Sequence, residues 1–182
     1  MKRQKPFFTA ITVAAICAFA CAVPAAAQPT SKLSDAEIAS IAVVANQVDI
    51  DAAQFARQKS KDATVADFAK TMISDHQSVI DKATALVKKL GVRPQDNAVS
   101  RQLQQNAQKT LQRLKSKSGT AFNQAYIANE VAYHQAVIAT VEDRLIPKAT
   151  NADLKALLQS VVPVLRAHLE HAQMVQKTVA AK

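Results

Sequence analysis

The stretch Ile127–Leu145, IANEVAYHQAVIATVEDRL, decides the fold. Ile127, Val131, Ile138, Val141 and Leu145 recur at spacings of three and four once position 134 is counted with them. That is the buried stripe of a helix packed in a bundle. Position 134, where the stripe asks for an apolar side chain, is a histidine.

Two more segments repeat the pattern. Ala69, Met72, His76, Val79, Ala83, Leu86 and Leu90 form one seam; Leu154, Leu158, Val161, Leu165, His168, Ala172, Val175 and Val179 form another. Each again carries a histidine on the seam. Ser34-Asp35-Ala36-Glu37 has the spacing of a capping box and predicts a first helix running to about Lys59. The second helix is predicted from Thr64, as its cap, to near Leu90. The third runs from Thr120 to about Ile146, stopped by Pro147, and the fourth from Asn151 to about Val179, with a kink expected at Pro163. The two glycines, Gly91 and Gly119, follow long periodic segments and read as stop signals.

Two tight connections and one long one predict an all-α fold: a ferritin-like antiparallel four-helix bundle with a helical crossover over about residues 91–119. A simple up-and-down bundle is the alternative. A faint repeat sets Ala45–Ala56 against Ala128–Ala139, with Gln47 facing Glu130 and Asp51 facing His134.

The first 27 residues differ in composition from the rest. Lys2, Arg3 and Lys5 precede the apolar run FFTAITVAAICAFACAV, and Ala25-Ala26-Ala27 fits a cleavage site before Gln28, the pattern of a secretory signal. A lipobox acylated at Cys21 is the weaker match, because Phe19 is unusual there and Ala18 stands where Leu is expected. Residues 28–182 then form one domain, periplasmic or secreted. Both cysteines leave with the signal, so a metal site must use His, Asp and Glu. The segment holds three of the 23 bases and none of the 14 acids, so the remainder carries +6, a bias toward weak association with anionic envelope surfaces. No later stretch is apolar for long enough to span a membrane.

Helix rise, about 1.5 Å per residue, sets His76 at about 21 Å and Asp51 at about 16 Å from the first tight turn, and His134 at about 22 Å from the second. In a bundle about 40 Å long with those turns at opposite ends, all three meet near mid-height. Glu130 lies one turn from His134 on the same face. His76, His134, His168, Glu130 and Asp51 are therefore the candidate metal ligands, a set suited to Zn, Cu, Fe or Ni. The competing reading is metal-free: buried rings bonded to carboxylates across the bundle, in a structural or interaction protein of the envelope.

Other chemistry is poorly supported. The chain has no Glu-x-x-His, so an oxygen-activating di-iron centre is not indicated. It has no phosphate loop, nucleophile elbow or Cys-His pair. His171 falls on the flank of its seam, and Tyr126 and Tyr133 read as packing residues with a wet hydroxyl. Arg101, Lys109, Arg113, Lys115 and Lys117 lie in an acid-free stretch, but without interleaved aromatics they make no strong nucleic-acid signal.

The stretches VADFAKTMISDHQSVI (65–80), FNQAYIANEVAYHQAVIATVEDRLIP (122–147) and NADLKALLQSVVPVLRAHLEHA (151–172) resemble a bacterial exported family, the domain of unknown function 4142. The resemblance implies the ferritin-like fold and the envelope location, with no established reaction. The family often carries Glu on the first helix where this chain has Asp49, which leaves the carboxylate there open between Asp49 and Asp51.

Overall fold

The computed structural model describes residues 33–181, so the expected signal segment and its cleavage and acylation sites lie outside the described residues. Those residues form helices and turns with no strand, which makes the fold all-α.

Helix α1 spans Asp35–Lys59, and Ser34 and Glu37 make the expected capping box at its start. Helix α2 spans Ala63–Lys89. Its cap is Asp62, whose side chain accepts from the Thr64 backbone N–H, two residues earlier than the sequence suggested. Gly91 follows at φ 65°, a conformation that costs glycine least. Helix α3, Ala98–Lys115, fills the crossover and is capped by Asn97.

Helix α4 spans Gly119–Thr140 and runs into a π-helical turn, Val141–Leu145, and a short α5, Ile146–Lys148. The chain therefore stays helical through Pro147, where a stop was expected. A proline ring crowds the carbonyl four residues back and supplies no donor, and the widened turn just before it relieves both demands. Gly119, at φ 54°, opens α4 instead of ending the preceding helix, which already closes at Ser116. Helix α6, Ala152–Ala180, continues across Pro163.

Hydrogen bonds at the two ends establish direction. Asp35, at the start of α1, accepts from the backbone N–H groups of Thr150 and Asn151, at the α5–α6 turn, at 2.8 and 2.9 Å. Ser60, just past the end of α1, donates to Asn123 near the start of α4 at 2.8 Å. Helix α1 thus runs opposite to α4. The side chain of Gln124 reaches the Val179 carbonyl, and Lys89 pairs with Asp153, which sets α6 antiparallel to both α4 and α2. Helices α2 and α4 point the same way, and that is why a helix-long crossover is needed between them. The crossover α3 returns alongside α1, tied by Asn97 to the Glu37 carbonyl at one end and by Lys59 to the Leu114 and Lys115 carbonyls at the other.

Buried side chains fall into two groups along the axis. One contains Phe68, Met72, Leu114, Phe122 and Tyr126. The other contains Ile38, Ile41, Ile138, Leu145, Leu154, Leu158 and Leu165. The seam histidines lie between them in sequence on every helix that carries one.

Candidate metal centre

His76 on α2, His134 on α4 and His168 on α6 converge. Their ring centroids are 5.1 Å (His76–His168), 5.4 Å (His134–His168) and 5.6 Å (His76–His134) apart. All three are buried, as the seam positions required. Glu130, one turn before His134, is buried with them.

The first helix contributes a different acid from the one the spacing arithmetic favoured. Asp51 faces outward and accepts from the Gln47 side chain at 2.8 Å. Asp49 is the buried one, 3.5 Å from His76 Nε2 and 3.7 Å from His134 Nε2. The physical reason is helical phase. Counting in steps of three and four from Ile38 through Ala42 and Ala45 reaches Asp49, and continues to the buried Ala52 and Ala56, whereas Asp51 stands about 200° further round. The faint repeat paired Asp51 with His134 and Gln47 with Glu130. Gln47 is exposed too, so the repeat has no counterpart in side-chain facing.

Each imidazole is oriented by a bond on its outer nitrogen. His76 Nδ1 lies 2.7 Å from the Asn46 side-chain oxygen, and His134 Nδ1 lies 2.9 Å from the Glu130 backbone carbonyl. His168 Nε2 lies 3.0 Å from Asp75 Oδ2. All three partners are acceptors, so in each neutral ring the proton belongs on the bonded nitrogen and the lone pair on the other. The nitrogens left over are His76 Nε2, His134 Nε2 and His168 Nδ1, and all three are buried without a hydrogen-bond partner. Both Asp49 carboxylate oxygens and Glu130 Oε2 are buried without a partner as well. Buried polar atoms left unpaired are rare and costly; within this cluster the carboxyls of Asp49 and Glu130 can share a proton, while the inner nitrogens of His76 and His134 stand 3.5 and 3.7 Å from Asp49.

The electrostatics agree. Burial, reinforced by the other two imidazoles, pushes His76 down to about 3. Burial chiefly, with a contribution from His168, pushes His134 down to about 4. Burial also raises Asp49, and burial with the neighbouring Asp49 charge raises Glu130 well above the usual carboxylate range. His76 and His134 are therefore held neutral, the protonation state in which imidazole coordinates a metal.

Donor atoms of His76, His134 and His168 lie within 4.8 Å of one another, and so do those of Asp49, Glu130 and His134. The two sets share His134. Ligands of a tetrahedral ion at about 2.0–2.2 Å lie about 3.4 Å from one another, so donor atoms spaced up to 4.8 Å would draw together by up to about 1.4 Å on binding. These residues could hold a metal ion.

A scan against family models matches residues 20–175 to the domain of unknown function DUF4142. The chain belongs to that family. No curated protein and no solved structure matches it.

Around the cluster, this family member carries groups whose roles were hidden in the sequence. Asn46 and Asp75 orient two of the rings from neighbouring helices; a polar residue beside or one turn from a ligand was the only signal available. Tyr133 donates to the Ala45 carbonyl at 2.7 Å. Tyr126 is fully buried and its hydroxyl has no partner, so it is not the wet hydroxyl expected. His171 is half-buried and lies edge-on to Phe68 at 5.0 Å, away from the three-ring cluster. No helix among the described residues is long and apolar enough to cross a membrane.

Proposed function

We propose that this chain binds a transition-metal ion in the core of an exported, ferritin-like bundle, as a non-catalytic protein with an envelope or stress-protection role. Nε2 of His76, Nε2 of His134 and Nδ1 of His168 would hold the ion, with Asp49 and Glu130 supplying carboxylate oxygens. The single observation that carries this reading is the tautomer arrangement. Three separate acceptors, on three different backbone or side-chain groups, each hold the outer nitrogen of one ring and leave its other nitrogen buried without a hydrogen-bond partner. Outer-sphere bonds of this kind orient metal-ligating histidines. In the metal-free reading a protonated Asp49 would have to serve the inner nitrogens of both His76 and His134 from 3.5 and 3.7 Å, longer than a good hydrogen bond.

Three imidazoles with carboxylates suit Zn, Cu, Fe or Ni. Burial favours the protonated carboxyl at Glu130 and raises Asp49 to about 7, so loading the ion displaces protons from this pair. The parallel course of α2 and α4, joined by the crossover α3, supports the ferritin-like reading. The basic and apolar run before Gln28 supports export.

Elemental analysis of untagged protein purified without chelators tests the metal. About one equivalent or more is expected, reduced at least about tenfold in His76→Ala, His134→Ala and Asp49→Asn and unchanged in Asp51→Asn. No metal in the wild type, with unfolding insensitive to chelator, would instead support a metal-free structural or interaction protein. N-terminal sequencing of the protein from a periplasmic fraction is expected to start at Gln28.

A further inference from the structure

A cavity of about 230 Å³ occupies the half of the bundle lined by Ile41, Val137, Leu145, Leu154, Leu158 and Leu165, and its lining also includes Asp49, His76, Glu130 and His168. We propose that this cavity binds an uncharged, chain-like aliphatic molecule whose single hydroxyl or carbonyl reaches the buried polar cluster.

The chemistry of the walls selects that class. They are formed mainly by Ala, Val, Leu and Ile from α1, α2, α3, α4 and α6. Away from the polar cluster the walls offer few groups to order water and are left without contact partners, and a void of about 150 Å³ with apolar walls already admits a benzene-sized ligand. The lining on α1 extends from Ala39 to Ala52, roughly 20 Å at 1.5 Å per residue, so the space is long and narrow. A linear chain fits that shape better than a fused ring.

Charge narrows the class further. No lysine or arginine lines the cavity, and the two acids at its polar end are Asp49 and Glu130. A carboxylate head would meet no counter-charge there and would cost the full desolvation of an ion. A hydroxyl, by contrast, both donates and accepts, and the unpaired Asp49 and Glu130 oxygens lie at that end. Asn106 on α3, Ala136 on α4 and Val164 on α6 line the cavity yet are exposed, so the cavity opens to solvent along these helices.

The proposal does not depend on the metal. Calorimetric titration of the chelator-treated protein with 1-octanol is expected to show saturable one-to-one binding, and octanoate at pH 8 is expected to bind at least about tenfold more weakly. Ala42→Phe, on the inner wall, and Ala136→Trp, at the exposed entrance, are each expected to weaken octanol binding about tenfold or more. Ala136→Trp adds bulk at a solvent-facing position, so retained helicity by circular dichroism keeps the test valid if Ala42→Phe fails to fold. The proposal fails if octanol gives neither saturable heat nor a thermal shift, if octanoate binds equally well, or if folded Ala136→Trp binds octanol like the wild type. Metal content measured on the same preparations separates the two ideas: octanol binding with no metal ever retained would overturn only the metal centre.

Discussion

The two halves of the bundle are built from different side chains and pack differently. The half toward the α1–α2 turn holds Phe68, Phe122 and Tyr126, with Phe68 and Tyr126 edge-on at 6.2 Å and Phe122 stacked on Tyr126 at 6.4 Å. The half toward the α5–α6 turn is aliphatic and encloses the cavity. Large rings fill the space between four helices, whereas Ala39, Ala42 and Ala45 on α1 leave it open. The histidine cluster stands at the boundary. One half thus supplies rigidity behind the imidazoles, and the other supplies access to them.

The comparison breaks most decisively if the filled half proves soft. Phe68→Ala is expected to cost about 3–5 kcal/mol in chemical denaturation, since a fully buried ring leaves a hole its neighbours cannot fill. Leu158→Ala, against a space already hollow, is expected near the low end for such a change, about 2 kcal/mol. Equal costs for the two would mean that the hollow half collapses in solution.

The boundary can be probed by pH in chelator-treated protein. His76 and His134 are held at about 3 and about 4, below the 6.5 of the unfolded chain. Between those values the unfolded state takes up protons and the folded state does not, so their contribution is fully present above about 6.5 and is lost as pH falls toward 4. The raised Asp49 and Glu130 act in the opposite sense, favouring the fold as pH falls. The informative quantity is therefore the difference between variant and wild type. From pH 7 to pH 5, His76→Gln should gain thermal stability relative to wild type; a constant difference would mean that the ring is not held neutral.

The smallest effect is expected outside both halves. Asp51→Ala, which removes only an exposed bond to Gln47, should change stability by no more than about 0.5 kcal/mol. A larger loss would mean that the outer face of α1 is covered by something in solution.

Much of the helix-level architecture was legible in advance because periodicity depends only on the chain's own geometry. The seams through His76, His134 and His168 located all three rings in the core. The capping box at Ser34 and the crossover helix followed from local chemistry. At Pro147 the stop came two residues later than expected, at Lys148, because the π-helical turn that admits the proline involves five residues together.

The choice between Asp49 and Asp51 was closer. Both acids sit on α1 within one turn, and a repeat in an alanine-rich helix is too weak to set the phase, so the wrong one was favoured until the packed helix showed which side faces inward. Asn46 and Asp75 are ordinary polar residues until a neighbouring helix brings a ring to them.

What this sequence determined by itself was which residues lie on a buried stripe, because 3.6 residues per turn converts spacing into direction within one helix. Only the tertiary structure decided which rings come together, which acid joins them, and that the far half is hollow. Those depend on the relative rotation and separation of helices, which side-chain volumes from distant parts of the chain set jointly.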